Sequence, residues 1–514
     1  MRMLLRVAVA TALAAGSQAN AAWYQASSRH FIIYANDSPK RLLAFASELE
    51  RFDQAVRLVM HYDDPPVGDG NRLAVYVLPS VDAVQKLAGK EAGNILGFYQ
   101  PRAEGCVAFV PKTTGRAEDA GIDAGAVFFH EYTHHLQFEN LERPTPAWLV
   151  EGFAEFMQTA QFEKDGSVLL GSAPEERAWG LLGSESIPLS SLLTQGYDKL
   201  DDEHRDLFYG EGWLLTHYLF MTQSRSEQLV KYLNLLNSGT AGLEAAKRAF
   251  GDLDQLQHEL TIYKHQRSIF GMKIAANRLQ VPPVEVTPLS NGAAAVILLR
   301  ADLKNHGEKK AAAQELAGQI QALELKYPGD ELVEATLAEA DLDAGNVSAA
   351  EAAADRVLKA NPRDVEGLIY KGRAIEERGR DMSGSNRHDM FEEARSEFIA
   401  ANKIDTEDPE PLYDFYTSFL HEGIRPTDNA ISAMHYASDL VPQDFGLRMN
   451  SAIAYLNENK PSEARATLTV IAYSPHSERT GDVARRLISA IDAGKGRAAL
   501  EELRTPSTQT SASH

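Results

Sequence analysis

The chain has 514 residues, more than a single hydrophobic core normally organises, so we expect two or more domains. Its hydrophobic content of 44% and charged content of 24% are those of an ordinary folded protein. With 51 Lys and Arg against 72 Asp and Glu, the formal net charge is −21. A surface of this sign argues against nucleic acid and anionic lipid as partners, because both require clustered Lys and Arg.

The first 21 residues have the pattern of a secretory signal peptide. Arg2 and Arg6 form a basic start, Val7 to Ala15 is a short apolar run, and Ala19-Asn20-Ala21 places small residues at a cleavage site. The apolar run is too short to span a bilayer, although an uncleaved N-terminal anchor is the alternative. The sequence therefore predicts a periplasmic or secreted protein with no membrane span after signal removal. Cys106 is the only cysteine, so an intrachain disulfide is excluded.

Residues 22–118 alternate strand and helix signals and predict a small α/β module. Strand-forming residues occupy His30–Ala35 and Leu73–Leu78, and apolar residues recur at helical spacing from Pro39 to Met60. Ser80 is placed to cap a short second helix. Two further strand signals, at 96–99 and 106–110, flank a Pro-Arg-Ala-Glu-Gly turn and predict a hairpin.

From Gly121 to about Phe270 the signals are almost entirely helical, and they include the strongest chemical motif, H-E-x-x-H at 130–134. On a helix, His130 and His134 lie on one face, so both imidazoles can reach one metal ion. Glu131 lies about 100° round the helix from His130, close enough to take a proton from a water at that ion. The alternative is that these histidines are core residues of an apolar helix.

A third metal ligand is required, and Glu151 is the candidate. The metzincin pattern needs Gly and His where this chain has Gln137 and Asn140, so that arrangement is excluded. Residues 146–156 predict a second helix that carries Glu151 and Glu155 one turn apart on one face. Glu151 would complete a His₂Glu zinc set, and Glu155 would accept a hydrogen bond from a ligand imidazole. Solvated acids on a helix surface are the alternative, but large apolar residues flank both positions.

H-E-x-x-H followed by W-L-x-E-G-x-A-E-F resembles the gluzincin zinc peptidases, particularly the aminopeptidases and their bacterial peptidase-MA-like relatives. The resemblance implies a mostly helical zincin catalytic domain over 119–285. It implies a zinc ion held by His130, His134 and Glu151, with Glu131 as general base. The family's Gly-x-Met-Glu-Asn motif, which binds the substrate amine in aminopeptidases, is absent, so an endopeptidase is expected.

The resemblance extends to two further segments. The run that begins Tyr209-Gly210-Glu211 is similar to a later helix of the family, whose leading Tyr steadies the oxyanion; packing alone is the alternative role for Tyr209. The hairpin near Phe98 to Val107 is similar to the place where these enzymes offer an edge strand to the substrate backbone. His135 is expected to be structural or solvent-facing, and His217 and Tyr218 are expected to be core residues.

Beyond residue 290 a helical repeat appears. Pro328 and Pro362 are 34 residues apart, and Pro442 and Pro475 are 33 apart. Small residues recur at Ala350, Ala394, Ala430 and Ala464. The first of these gaps is longer than the others and coincides with the polar segment 380–386, which predicts a loop insertion. This period is similar to that of tetratricopeptide repeats, and an irregular α-solenoid fits equally well. Residues 286–504 are therefore assigned to TPR-like repeats and 505–514 to a disordered tail.

Together the predicted elements describe an α+β N-terminal module and a mostly helical zincin catalytic domain, followed by an α-solenoid. The favoured function is zinc-dependent hydrolysis of a peptide or protein substrate. A protein partner held by the helical repeats is also expected. The alternative function is a periplasmic interaction scaffold with an inactive or minor metallopeptidase-like domain. The intact Glu131 argues against that alternative, because a binding module has no use for a base beside the metal.

Overall fold

The computed structural model describes residues 23–89, 96–112, 124–140, 145–174, 186–194, 202–306, 310–474 and 478–498, with residues 177, 181, 182, 200 and 500. Within these residues the protein is mostly helical, with an N-terminal α/β module and a C-terminal helical stack. The predicted signal peptide, 1–21, and tail, 505–514, lie outside the described residues. None of the helices described has both the length and the apolar character needed to cross a membrane.

Two sheets contain the strands. The strands are β1 (Trp23–Ser27), β2 (Phe31–Asn36), β3 (Leu73–Leu78), β4 (Phe98–Gln100), β5 (Val107–Pro111), β6 (Gln161–Phe162), β7 (Val168–Leu170), β8 (Met272–Ile274) and β9 (Glu285–Pro288). The larger sheet has the order β4-β5-β3-β2-β1-β9, in which β2, β3 and β5 are parallel and the other neighbours antiparallel. The predicted hairpin is the β4–β5 pair, and β4 forms one edge of this sheet.

Three features of the sheets differ from the sequence prediction. β1 was not predicted, and β9 comes from the predicted boundary between the second and third regions yet pairs with β1 in the N-terminal sheet. The stretch predicted as almost entirely helical also contains the small sheet β6-β7-β8. These strands are two to five residues long, so each is too short to show a clear alternation of apolar and polar residues.

The helices before the stack are α1 (Pro39–Met60), α2 (Val81–Ala88), α3 (Ala124–Glu139), α4 (Ala147–Gln158), α5 (Leu189–Leu192), α6 (Asp202–Met221), α7 (Gln223–Asn237), α8 (Gly242–Phe250) and α9 (Leu253–Lys264). The predicted bounds of α1 are confirmed. Ser38 caps its start by accepting a hydrogen bond from the backbone N–H of Arg41, and His61 ends it in the left-handed conformation at φ 57°. Ser80 caps α2 in the same way, as predicted.

The helices of the stack are α10 (Asn291–His306), α11 (Lys310–Lys326), α12 (Glu331–Ala344), α13 (Val347–Ala360), α14 (Val365–Arg380), α15 (Gly384–Ile404), α16 (Pro409–Glu422), α17 (Asp428–Leu440), α18 (Phe445–Asn457), α19 (Pro461–Tyr473) and α20 (Glu478–Asp492). The first helix of successive pairs is capped by an Asp side chain that accepts a backbone N–H: Asp330, Asp364, Asp408 and Asp444. The four predicted small residues, Ala350, Ala394, Ala430 and Ala464, lie in the second helices and are fully buried.

The predicted loop insertion at 380–386 is wrong in its form. α14 extends to Arg380 and α15 begins at Gly384, so only 381–383 lie between the helices. The extra residues lengthen α15 to 21 residues, against 14 in α13 and 13 in α17. The polar composition that suggested a loop instead belongs to an exposed first turn of a longer helix.

The larger sheet lies between helices α1 and α3 on one face and helix α10 of the stack on the other. Successive residues of a strand point to opposite faces, so Phe31 and Ile33 join the core with α1 and α3, while Tyr34 packs with Ile297 and Ala301 of α10. Buried residues of α16, α17 and α18 belong to the same hydrophobic cluster as α3 and α4. The stack therefore packs on the N-terminal part of the protein in two places. Helix α10 packs on the sheet, and helices α16, α17 and α18 join the core that contains α3 and α4.

Candidate metal centre

α3 and α4 bring the three predicted metal ligands together. Nε2 of His134 lies 3.1 Å from Nε2 of His130, and both nitrogens lie 3.4 Å from Oε2 of Glu151. Glu151 is fully buried, His134 is 2% exposed, and the His130 side chain is 12% exposed. Three donor atoms from two helices thus face one point that retains a small opening to solvent.

These distances fit the donor set of a tetrahedral zinc site. Two ligands held tetrahedrally at about 2.0–2.1 Å from one ion lie about 3.3 Å apart. The three observed separations, 3.1, 3.4 and 3.4 Å, are close to that value. Two imidazoles and a carboxylate also leave the fourth position open, the arrangement found in catalytic rather than structural zinc sites.

Gln137 fixes the orientation of the His134 ring. Its Nε2 donates to the backbone carbonyl of Val150 on α4 at 3.2 Å, and because a carbonyl can only accept, the amide nitrogen must point there. Oε1 of Gln137 is then left to accept a hydrogen bond from Nδ1 of His134 at 2.9 Å. The Nε2 lone pair of His134 is therefore directed at the centre. The sequence prediction missed this role, although Gln137 follows His134 by three residues, the spacing at which helix side chains meet.

Glu155 lies near the proposed ligands, but it does not accept the hydrogen bond from a ligand imidazole that the sequence predicts. Its Oε1 is 3.7 Å from Nδ1 of His130, so the two groups interact electrostatically rather than through a hydrogen bond. Both its oxygens accept from Arg177, at 2.8 and 3.2 Å, and Gln158 donates to it at 2.6 Å. Arg177 was not identified from the sequence, because no local pattern relates it to a helix more than twenty residues earlier.

The charges around His130 favour a cation at the centre. Burial of the imidazole opposes its protonation, but the hydrogen bond to Glu151 and the charges of Glu155, Glu151 and Glu131 outweigh it and raise the pKa of His130 to about 9. The same negative surroundings that stabilise the protonated imidazole would also stabilise a metal cation held by the deprotonated ligands.

Glu131 lies where α3 packs against the sheet. It lines a small pocket with Gly97, Phe98 and Tyr99 of the β4 segment and with Val127 and Phe128 of α3. The predicted general base and the predicted substrate-binding edge strand are therefore neighbours. Glu131 is partly exposed, so solvent reaches this side of the centre.

Tyr209 lies on α6 against the ligand cluster. Its ring is 5.8 Å from the ring of His130, centre to centre, at an interplanar angle of 75°. The guanidinium of Arg177 lies 5.0 Å over the other side of the Tyr209 ring. The structure thus brings the predicted catalytic tyrosine to the metal ligands, with Arg177 joining it to Glu155.

Two glycines allow α4 and α6 to approach closely enough for this arrangement. A Cβ atom at Gly152 would lie 2.3 Å from the carbonyl oxygen of Gly212 and 2.4 Å from Oγ1 of Thr216. A Cβ atom at Gly212 would lie 2.9 Å from the carbonyl oxygen of Trp148. Backbone contact between the helices therefore requires glycine at both positions, and it fixes Glu151 relative to Tyr209.

A second buried group of His, Glu and Asp lies on the other side of α3. Nδ1 of His30 is 2.7 Å from Oε2 of Glu50, and Nε2 is 3.0 Å from Oδ1 of Asp64. Asp53 accepts from Arg57 at 3.0 Å and from the hydroxyl of Tyr132 at 2.8 Å. Burial opposes the charge of His30, but its hydrogen bond to Glu50 and the charges of Asp53 and Glu50 raise its pKa to about 9.

The two histidines and the tyrosine for which no catalytic role is predicted make packing contacts or hydrogen bonds. His135 stacks on Tyr132, with ring centres 5.2 Å apart, and burial lowers its pKa to about 3, helped by the charges of Arg57 and His30. His217 is fully buried, and Tyr218 is partly buried with its hydroxyl donating to Glu259 at 2.9 Å.

Comparison with known proteins adds no assignment. No family model matches the sequence, and no curated protein matches it.

Proposed function

We propose that the protein is a zinc-dependent metallopeptidase of the gluzincin type. The observation that carries the proposal is the convergence of His130 Nε2, His134 Nε2 and Glu151 Oε2 at the mutual distances of tetrahedral zinc ligands. His130, His134 and Glu151 would hold the ion. A bound zinc ion would polarise a scissile carbonyl and lower the pKa of a nearby water towards neutrality.

Glu131 is the proposed general base. It follows the proposed ligand His130 on the same helix and lines a small pocket between α3 and the sheet, beside β4. Its carboxylate would take a proton from the attacking water and deliver it to the leaving amine. Glu151, fully buried, would keep its negative charge directed at the ion, and Glu155 would hold Arg177 in place.

Tyr209 is proposed to stabilise the oxyanion. Its ring packs edge-on against the ring of His130, one of the proposed ligands. A phenol that donates a hydrogen bond to developing negative charge would lower the barrier. Arg177, stacked on the same ring, would keep the tyrosine from swinging away.

An extended peptide is the substrate class that this geometry supports. β4 forms a sheet edge, so its outward N–H and C=O groups can pair with a substrate backbone. Glu131 and β4 line one small pocket, so a peptide paired with β4 would lie near the base. Together with the absent amine-binding motif, this favours endopeptidase activity. The signal-like segment 1–21 supports action in the periplasm or outside the cell.

The helical stack is proposed to follow a TPR-like plan, with Asp caps and buried alanines repeating along it. Helices α10 and α12 pack on the sheet, and α16 and α18 pack on the catalytic helices. A protein partner would therefore contact the outer, second helices of the pairs, unless it displaced the catalytic part.

Zinc content and peptide hydrolysis of the full chain without its signal peptide test the proposal. We expect about one zinc per chain in the wild type and in Glu131→Gln, and essentially none in His134→Ala. Hydrolysis of a mixed peptide library, followed by mass spectrometry, should fall about 10²- to 10⁴-fold in Glu131→Gln. A wild type that binds no zinc after reconstitution would refute the proposed centre. Cleavage that survives Glu131→Gln unchanged would refute the proposed base.

A further inference from the structure

Three consecutive residues at the start of α18 contact the region of the metal centre. Gln443 donates to Nδ1 of His135 at 3.3 Å, next to the ligand His134. Oδ2 of Asp444 accepts a hydrogen bond from the backbone N–H of Ala103, in the turn between β4 and β5, at 3.0 Å. The ring of Phe445 lies 5.3 Å from that of Phe138, centre to centre. We call Gln443-Asp444-Phe445 the docking triplet.

Phe445 reaches a metal ligand through a single intermediate ring. Phe138 follows His134 by one helical turn, and the two rings are stacked at 5.8 Å with an interplanar angle of 17°. Phe445 packs edge-on against the same ring, at 71°. Two contacts therefore set the orientation of the His134 ring: Gln137 binds its Nδ1, and Phe138 stacks on its face. Phe445 in turn packs against Phe138 and restricts its movement.

Gln443 contacts α3 at His135, which lies three residues before Phe138 and therefore on an adjacent part of the helix surface. His135 is enclosed by Tyr132, stacked at 5.2 Å, and by the hydroxyl of Tyr99 at 2.7 Å from its Nδ1. Gln443 is 3% exposed and also donates to Sγ of Cys106 at 3.6 Å. Tyr99 belongs to the edge strand β4, so one side chain of the stack joins the metal-bearing helix to the strand expected to bind substrate.

We infer that the docking triplet positions α3, the helix that carries the proposed ligands His130 and His134. The C-terminal stack therefore contributes to the geometry of the metal centre, in addition to any role in binding a protein partner. This inference rests on the proposed function. Asp444 caps α18 through Leu447 N–H and binds Ala103 N–H with its other oxygen, which anchors the triplet at the β4–β5 turn. Phe445 and Gln443 are positioning residues that act through Phe138 and His135.

Visible absorption of the Co²⁺-substituted full chain tests the inference, because band positions report the geometry of the ligands. Phe445→Ala should shift the bands and raise the Kd for Co²⁺ by about 3- to 10-fold, since outer contacts of this kind orient the ligands. Phe445→Tyr, which keeps the ring, should restore the wild-type spectrum. Gln443→Met keeps the side-chain volume, removes the hydrogen-bond donor and should also shift the bands. It tests the inference independently if Phe445→Ala fails to fold.

Phe398→Ala is the matched control. Phe398 is fully buried on α15 within the stack, where it packs with Ile375 of α14 and Phe415 of α16. Its truncation should lower the unfolding temperature and leave the Co²⁺ spectrum unchanged. Wild-type spectra in both Phe445→Ala and Gln443→Met would overturn the inference, as would an equal shift in Phe398→Ala. Failure of the wild type to bind Co²⁺ would instead overturn the metal centre itself.

Discussion

The two clusters of histidine and carboxylate on either side of α3 have similar composition and opposite properties. His130, His134 and Glu151 form one, and His30, Glu50 and Asp53 form the other, and in both the donor atoms lie within 4.8 Å of one another. In the first, three donor atoms face a common point. In the second, Nδ1 and Nε2 of His30 each pair with a carboxylate.

The difference shows that the direction of the donor atoms, rather than their proximity, marks a metal site. With its pKa raised to about 9, His30 is itself a cation at neutral pH, and Arg57 supplies a second positive charge beside Asp53. The carboxylates of that cluster are therefore already neutralised. At the first cluster the pKa of His130 is also raised to about 9, so charge alone does not separate the two clusters; the difference is that Gln137 turns the Nε2 lone pair of His134 towards His130 and Glu151.

The largest expected effect comes from replacing one buried carboxylate in the first cluster and comparing it with the same change in the second. Glu151 and Glu50 are both fully buried, so Glu151→Gln and Glu50→Gln are matched isosteric changes. Glu151→Gln removes a proposed ligand and should weaken zinc binding more than about 100-fold, beyond the ~10- to 100-fold typical of outer-shell changes. Glu50→Gln should leave zinc affinity unchanged. Competition with a chromophoric chelator measures both; equal losses would mean that the second cluster contributes to metal binding.

A smaller effect concerns stability and its dependence on pH. Because the pKa of His30 is raised from 6.5 to about 9 in the folded state, its contribution to stability is complete below pH 6.5 and is lost as pH rises through 9. The loss of unfolding free energy in His30→Gln, relative to wild type, should shrink by about 3 kcal/mol between about pH 6 and pH 9.5. Urea denaturation at several pH values measures it.

Two comparisons keep that prediction specific. His258→Gln, which removes an exposed imidazole on α9, should change the unfolding free energy by no more than about 0.5 kcal/mol. Zinc content should remain unchanged in His30→Gln. A penalty in His30→Gln that is independent of pH would show that packing, rather than the charged imidazole, accounts for the effect.

The smallest effect sharpens the role of Gln137. Gln137→Met keeps the length of the side chain but removes the acceptor for His134 and the donor to Val150. Zinc affinity should fall about 10- to 100-fold while the helices stay folded. Gln54→Met is the same change at the second cluster, where Gln54 donates to Asp64 at 3.2 Å. It should leave zinc affinity unaffected, and equal losses would argue against an orienting role for Gln137.

Local patterns predicted the elements that carry the candidate site. Helical spacing gave α1 its bounds, and the i, i+4 relation of His130 and His134 predicted that their imidazoles share a face, which α3 confirms. Glu151 and Glu155 lie on α4 as predicted. Sequence alone did not reveal β9, because it is stabilised by pairing with β1, which is distant in the chain. It did not reveal β1, which pairs with the adjacent β2, because five residues are too few to show a clear alternation. The polar start of α15 was mistaken for a loop. Its helical state depends on the neighbouring α14, which local composition does not show.

The sequence by itself determined the chemical types of the proposed ligands and their order along two helices, since both depend on spacing within a few turns. Tertiary structure decided how these groups are used. The Gly152–Gly212 contact sets the separation of α4 and α6, and Arg177 joins Glu155 to Tyr209 across it. It also placed the start of α18 against α3. These contacts join residues far apart in the chain, and no local periodicity encodes which distant side chain will fill a given space.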